Sequence, residues 1–486
     1  MIKQKGEVAM RFGQTFLASF VMMALVYGSG SAVAQTVTAG AGGEYASLQA
    51  AIDAVAADTA TRDKITVVGD LEDVENVTIP DSVPGITIEA QNPGQVTMRA
   101  GLVVWAPNAT INGLNLDNTG GTGLDIAPGA GNVTFSNARC TNVGGQGVAA
   151  ANAGTSFTLN NVTIESTNNN GLLIAADVQA TLNNCTIRDS REQQILVNEN
   201  AVVNINDCVV ESGRGNGLFH IQGGTSNVKN CIFRDNSGQQ IIVERGGRIN
   251  LDDCEVGPSN FNGLFTTFQI NDPGEYIVAR NCRLHNNRER GAVTESGGIR
   301  LINCDVYENG DGVQAFSHGI HAEYCRIYRN NALGFFTVSQ RETKPAVSTI
   351  DHCDVFANGN NIYLGGGAVA DVKITATYNI VSLAIDRGMN QDGNMDGLPC
   401  DLINSNNLVV EEGPLANTRS FAGLAEPGEG TLFVDPQYVN VGPNVATKDL
   451  DFRVKPGSPA ILGGGLFIGS MGTGGPSSVG DPWLLY

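Results

Sequence analysis

The chain reads NNCTI at 183–187, NDCVV at 206–210, KNCIF at 229–233, DDCEV at 252–256, RNCRL at 280–284, INCDV at 302–306, EYCRI at 323–327 and DHCDV at 351–355. From Cys185 through Cys208, Cys231, Cys254, Cys282, Cys304 and Cys325 to Cys353, the steps are 23, 23, 23, 28, 22, 21 and 28 residues. A unit of near-constant length repeated in line marks a solenoid, since each unit buries its apolar side only against its neighbours. Within Thr181–Arg188, Leu182, Cys185 and Ile187 face inward on two short strands that meet at Asn183-Asn184. Asparagine tolerates the left-handed backbone of so tight a bend. Asn161, Asn184, Asp207, Asn230, Asp253, Asn281 and Asn303 are therefore expected to stack as a corner ladder.

A further strand follows a polar loop in every repeat. Leu172, Ile195, Leu218, Ile241 and Leu264 begin one inward row, and Ile174, Val197, His220, Val243 and Thr266 a second. The reading is an all-β, single-stranded parallel β-helix of about 23 residues per turn. Some twelve turns at about 4.8 Å each would make a rod of roughly 60 Å.

Bulk properties agree with that architecture and restrict the partners. Among 486 residues only 16% are charged and 61 are glycine, a turn-rich composition. The net charge of −20 disfavours nucleic acid as a partner. Lys3, Lys5 and Arg11 precede an apolar run from Phe16 to Tyr27 and then Ala32-Val33-Ala34, so residues 1–34 read as a secretory signal peptide. The run is shorter than the ~20 residues of a membrane span. A secreted protein, extracellular or periplasmic, monomeric and without a span, is expected. Residues 188–344 hold 16 of the 29 lysines and arginines, which directs the search for a site there.

At the N-terminus, Tyr45, Leu48, Ile52 and Val55 recur at helical spacing, predicting a short helix over 44–58 that caps the coil. The stretches TVTAGAGGEYASLQAAIDAV (36–55) and ENVTIPDSVPGITIEAQNPG (75–94) resemble the opening of pectin methylesterases and, more widely, of the pectate-lyase-like right-handed parallel β-helix superfamily. The resemblance implies a right-handed coil and polysaccharide chemistry. The ending VDPQYVN (434–440) and DLDFRVKPGSPAILGGG (449–465) resembles the closing segment of secreted bacterial β-helix proteins. The expected organisation is signal peptide 1–34, cap and first coils 35–107, regular coil 108–381, and irregular C-terminal coils with an end cap 382–486. The catalytic motifs of pectin methylesterases are absent. Asp252-Asp253 and Ser317-His318-Gly319 resemble two polygalacturonase motifs, and Asp351-His352-Cys353 a pectate lyase one. The corner register accounts for both acidic pairs without catalysis. Glu255, Arg283, Asp305, Arg326 and Asp354 alternate in sign along one row, as structural cross-strand pairing would.

Eight of the ten cysteines share one inward row. Their parallel Cβ vectors hold the Cβ atoms farther apart than the ~3.8 Å a disulfide prefers, so mostly reduced, packed thiols are expected. Calcium is the expected cofactor. Asp392, Asn394 and Asp396, followed by Gly397, Cys400 and Asp401, resemble the small extracellular excalibur-type calcium loop, with alternate oxygen donors, a glycine at the sharp turn, and Asn394 and Asp401 as departures from its pattern; Asn390 joins them in the expected ligand set, and the alternative is a solvated Asn/Asp/Gly loop. Outward on one strand lies an apolar stripe containing Phe219, Phe265, Phe336 and Tyr363. Either a loop or the C-terminal segment covers it, or it is a platform on which sugar rings stack. Stacked turns would gather His285, Arg288, Arg290, Asp311 and Arg329. Guanidinium groups suit carboxylates, and a base near the sugar C5 proton permits β-elimination or epimerisation. The functional expectation is a protein that binds, and cleaves or epimerises, an acidic uronate-containing polysaccharide. Its rival is a non-catalytic adhesion or scaffold rod.

Overall fold

The computed structural model describes residues 36–58, 63–117, 119–267, 274–339, 345–366, 371–392, 400–461 and 468–470. Most turns contribute one strand to a 15-stranded sheet and two to a 28-stranded sheet, the two merging into one continuous strand at Val133–Thr141 and at Ser156–Glu165. One turn, for example, runs through Ile195–Val197, Val202–Asn206 and Val209–Glu211. All pairings within these two sheets are parallel, and residues join their equivalents one turn on: Leu172 meets Ile195, which meets Leu218. Rows expected to face inward are buried along the whole coil. The solenoid has about 14 turns, more than the twelve expected. The additional coils lack the Asn/Cys signal. Val77–Ile79 and Leu102–Val104 extend the smaller sheet at the N-terminal end, and Arg387–Gln391 and Phe421–Gly423 extend it past the expected regular coil.

The helix spans Leu48–Ala57 and buries Leu48, Ala51, Ile52 and Val55 against the first coil. Ser47 caps it by accepting the Ala50 N–H, and Asp73 accepts the Leu48 and Gln49 N–H groups at 2.8 and 3.1 Å. These donors have no partner inside a helix.

The predicted corner residues do adopt left-handed backbone, from Asn161 (φ 54°) and Asn184 (φ 51°) to Asn303 (φ 52°). Their amides bond along the stack: Asn161 donates to Asn137 at 2.9 Å and Asn303 to Asn281 at 2.8 Å. Past Asn303 the same position is taken by Tyr324, His352 and Tyr378, all at positive φ, with ring centroids 5.2 and 4.9 Å apart. All ten cysteines are buried and unbridged. They are also polar links. The N–H of Cys185 donates to Sγ of Cys208, and that of Cys208 to Sγ of Cys231, both at 3.3 Å. Each Sγ in turn donates to the carbonyl two residues back, at 3.3 Å for Cys185 and 3.1 Å for Cys208. After Cys353 the row continues as Asn379 and Asn407, whose Oδ1 atoms accept the same N–H groups at 2.9 Å. Burial pushes the Cys140 thiol up to about 12 and raises Cys282 and Cys325, so these thiols stay neutral.

A second ladder lies inside the next corner. Asn287, Asn309, Asn330, Asn358 and Asn361 are buried, and each amide donates to the next Oδ1 at 2.9 to 3.0 Å. Beyond it, residues of the C-terminal segment turn back along the rod. Tyr438–Asn440 pairs antiparallel with Asp451–Val454, and Tyr438, Phe452, Val454, Ala460 and Ile468 pack over Tyr328, Phe356, Ile380 and Leu408 on the outer face of the larger sheet.

Candidate functional site

Between His285 and Arg288 the backbone bends at Asn286 (φ 54°), and this bend separates residues that the sequence groups together. His285 stays on the larger sheet and is buried. Its Nε2 lies 3.2 Å from Glu255, and its ring stacks on Tyr307 with centroids 5.0 Å apart. Arg288 is exposed on the connecting loop, beside Asn260, Phe261 and Glu289. Arg329 is itself a corner residue (φ 55°) and reaches the C-terminal segment. It donates to Thr447 Oγ1 at 2.8 Å, to the Gly442 carbonyl at 3.3 Å and to the Val445 carbonyl. The single neighbourhood expected for these five side chains is thus corrected. Arg290 and Asp311 come together, while His285 and Arg329 serve packing and docking on another face.

Arg290 and Asp311 occupy paired positions on the strands Arg290–Thr294 and Asp311–Ala315 of the smaller sheet. The guanidinium Nε is 3.8 Å from the Asp311 carboxylate and donates to Gln314 Oε1. The Arg290 guanidinium carbon lies 5.8 Å from the centroid of the Phe316 ring, an aromatic the sequence reading passed over. Asp311 also accepts the Leu333 N–H at 3.1 Å, yet burial raises its carboxyl above the usual carboxylate range. Arginine, a carboxylate of raised pKa, an amide and an aromatic ring thus meet on an outward face.

The apolar stripe crosses this face, with Gln314, Phe336, Tyr363 and Asn390 aligned on successive strands. Phe336 and Tyr363 stack with centroids 4.8 Å apart. Phe336 is 8% exposed, so its ring packs against neighbours and offers little face to a ligand. Phe219 and Phe265 lie farther along, with Ile242 between them, and remain partly exposed. The C-terminal segment covers the larger sheet rather than this stripe, because its Tyr438 and Phe452 find their partners in Tyr328 and Phe356.

Of the expected calcium ligands, Asn394 and Asp396 lie outside the described residues. Asn390 is buried, and its Oδ1 has no hydrogen-bond partner among the described residues. Asp392 accepts from the Tyr363 hydroxyl at 2.5 Å; burial first, then this carboxylate, pushes the Tyr363 phenol up to about 12. Cys400 Sγ donates to the Asp392 carbonyl at 3.6 Å and Gln391 Nε2 to the Cys400 carbonyl at 2.6 Å, which brings Asp392 and Cys400 together. Asp401 is exposed beside the position of Lys373. The buried Asn390 carbonyl oxygen, without a partner among the described residues, and the nearby Asp392 carboxylate are donors that fit a hard cation.

The expected charge row is present. Arg283 bonds Glu255 at 2.8 Å and Arg326 bonds Asp305 at 2.7 Å. It departs at Asp354, which accepts the Ser470 N–H at 2.9 Å and the hydroxyls of Ser470 and Tyr438.

The family model described as "Right handed beta helix region" matches residues 69–225 and 216–377. Among solved structures, the chain is similar to the periplasmic alginate epimerase AlgG, at 11% identity over 72% of this chain and 85% of that one, with a TM-score of 0.42. It is similar to pectate lyase Pel9A at 12% identity, covering 91% and 98%, with a TM-score of 0.35. The A-module of the Azotobacter vinelandii mannuronan C-5 epimerase AlgE4 matches at 11% identity, covering 80% and 94%, with a TM-score of 0.36. No curated protein matches the chain.

Proposed function

The chain belongs to the right-handed β-helix family, and from that premise we propose that it binds and processes an acidic, uronate-containing polysaccharide on the outer face of its smaller sheet. The observation that carries this reading is the meeting of Arg290, Asp311, Gln314 and Phe316 on one outward surface. The Arg290 guanidinium suits a sugar carboxylate and, by drawing its charge, makes the adjacent C5 proton more acidic. Asp311 is the base in this scheme, since burial raises its carboxyl above the usual carboxylate range and so makes it a stronger proton acceptor. Phe316 supplies an apolar ring, and the buried Gln314 amide orients the guanidinium by accepting from Arg290 Nε. Removal of the C5 proton followed by loss of the O4 substituent gives lyase cleavage; return of a proton to the opposite face gives epimerisation. We further propose a calcium ion held by Asn390, Asp392, Asn394, Asp396 and Asp401, which would supply a second positive charge for the uronate. The signal-like leader accords with a secreted or periplasmic setting for such a substrate.

The test is incubation with pectate and alginate, with and without calcium, reading unsaturated-uronate absorbance, epimer ratio by proton NMR and retention on a polyuronide gel. Product or retention is expected, and Arg290→Gln should abolish it. No product, no epimer change and no retention would leave the non-catalytic scaffold reading. Calorimetric titration of calcium into the protein and its Asp396→Ala variant tests the ion separately.

A further inference from the structure

The outer face of the larger sheet, away from both the proposed polysaccharide face and the C-terminal segment, carries a regular array of uncharged polar side chains. One column runs Thr87, Thr110, Thr134, Thr158 and Thr181 on successive turns and continues as Asn204, Asn227 and Asn250. Two residues along the strands, a second column runs Asn112, Ser136, Asn160, Asn183 and Asn206. Neither column holds a charge across the five turns they share, in a chain of net charge −20. Glu89 and Lys229 bound the second column at its two ends.

The array is rigid as well as regular. Asn183 donates to Asn160 at 2.8 Å, Asn206 to Asn183 at 3.0 Å, Asn227 to Asn204 at 3.1 Å and Asn250 to Asn227 at 3.0 Å. Each such bond fixes an amide plane and leaves one N–H and an oxygen lone pair for solvent. The threonines are β-branched and stiff at χ1. All the residues of both columns remain partly or fully exposed, and the pairing from Thr110–Asn112 to Arg248–Asp252 carries no register shift.

Rungs of parallel strands repeat at about 4.8 Å, with alternate residues about 6.6 Å apart along each strand. Waters joined tetrahedrally by hydrogen bonds of about 2.75 Å have second neighbours about 4.5 Å apart. The rung spacing of the columns, about 4.8 Å, is thus close to that second-neighbour repeat of about 4.5 Å in crystalline water. We propose that this face binds ice. A dissolved sugar is the weaker fit. No aromatic ring stands in either column. Each hydrogen bond to a dissolved ligand nets only about 1 kcal/mol over the water it displaces, and ordering the ligand opposes it. A crystal surface is already ordered and presents many equivalent partners at once, so small gains add.

The test uses the full chain, the double variant Thr134→Lys/Thr158→Lys and, as control, Arg191→Gln on an exposed loop. Partition into a slowly growing ice front and inhibition of ice recrystallisation are measured, with unfolding midpoints recorded for all three. The wild type and control should enter the ice and restrain recrystallisation. The double variant should need at least tenfold higher concentration at an unchanged midpoint. Exclusion of the wild type from ice, or full activity in the double variant, overturns the proposal. Retention on insoluble cellulose or chitin without ice activity also overturns it and assigns the face to a neutral glycan. Polyuronide assays read a different face, so failure there leaves this result standing.

Discussion

At Asn184 the backbone sits at φ 51°, a region in which a β-branched side chain is crowded by its own carbonyl. Asn184→Gly is expected to leave the urea midpoint almost unchanged, whereas Asn184→Val should cost about 1–2 kcal/mol; equal midpoints would contradict the corner argument. The same position accepts Tyr324 and His352, where ring stacking along the row offsets the backbone cost. On the outer face of the smaller sheet, Arg290 and Asp311 form a partly exposed pair, and such pairs contribute at most about 1 kcal/mol to folding. Arg290→Gln should therefore weaken polyuronate binding at least tenfold in calorimetry while barely moving the thermal midpoint. Because burial raises the Asp311 carboxyl, the acidic limb of the pH–rate profile should lie above the ordinary aspartate value of 3.8. Asp311→Asn should lose turnover yet still be retained on a polyuronide gel.

The C-terminal segment is the element least like the rest. Its docking joins an aromatic contact, Phe452 against Tyr328 and Phe356, to two polar anchors. One is Arg329, with Glu308 accepting from Thr447; the other is Asp354, buried beside Arg326 and bonded by Tyr438 and Ser470. Burial pushes the Asp354 carboxyl from 3.8 up to about 6, so its neutral form is the one that suits docking. With the segment docked the proton is held; once released into water, Asp354 ionises at its ordinary value. Docking is strongest below about pH 4 and weakens as pH rises to about 6, by about 3 kcal/mol for a shift of this size. Hydrogen exchange of residues 436–454 should accordingly be faster at pH 7 than at pH 4. Asp354→Asn, neutral at both, should flatten the difference.

On the scale of the rod, every coil contacts chiefly the coils before and after it, so stability is nearly a sum over neighbours. Deleting residues 186–208 joins Cys185 to Val209, its row successor's follower, and leaves every inward row in phase. The shortened protein should unfold cooperatively, with a rod about 4.8 Å shorter by small-angle scattering; a molten or aggregated product would refute that additivity. Much of this was legible in the residues themselves. Parallel stacking turns a sequence period into a spatial column, so Asn184, Cys185 and Ile187 revealed their rows, the burial of the latter two and the left-handed corner at the first. Even the buried Asn309–Asn330–Asn358 ladder was present as an in-phase asparagine, though its loop-like surroundings concealed it. What the period leaves open is which way each outward side chain faces after a corner and what folds back over it. The bend at Asn286 sent His285 and Arg290 to different faces, and Tyr438 and Phe452, outside any repeat, chose the larger sheet over the apolar stripe. Local sequence determined the coil because its contacts lie one turn apart and recur. Only the tertiary structure decided where the C-terminal segment docks and which of the basic loop residues share a face, because those contacts are made once and follow no common period.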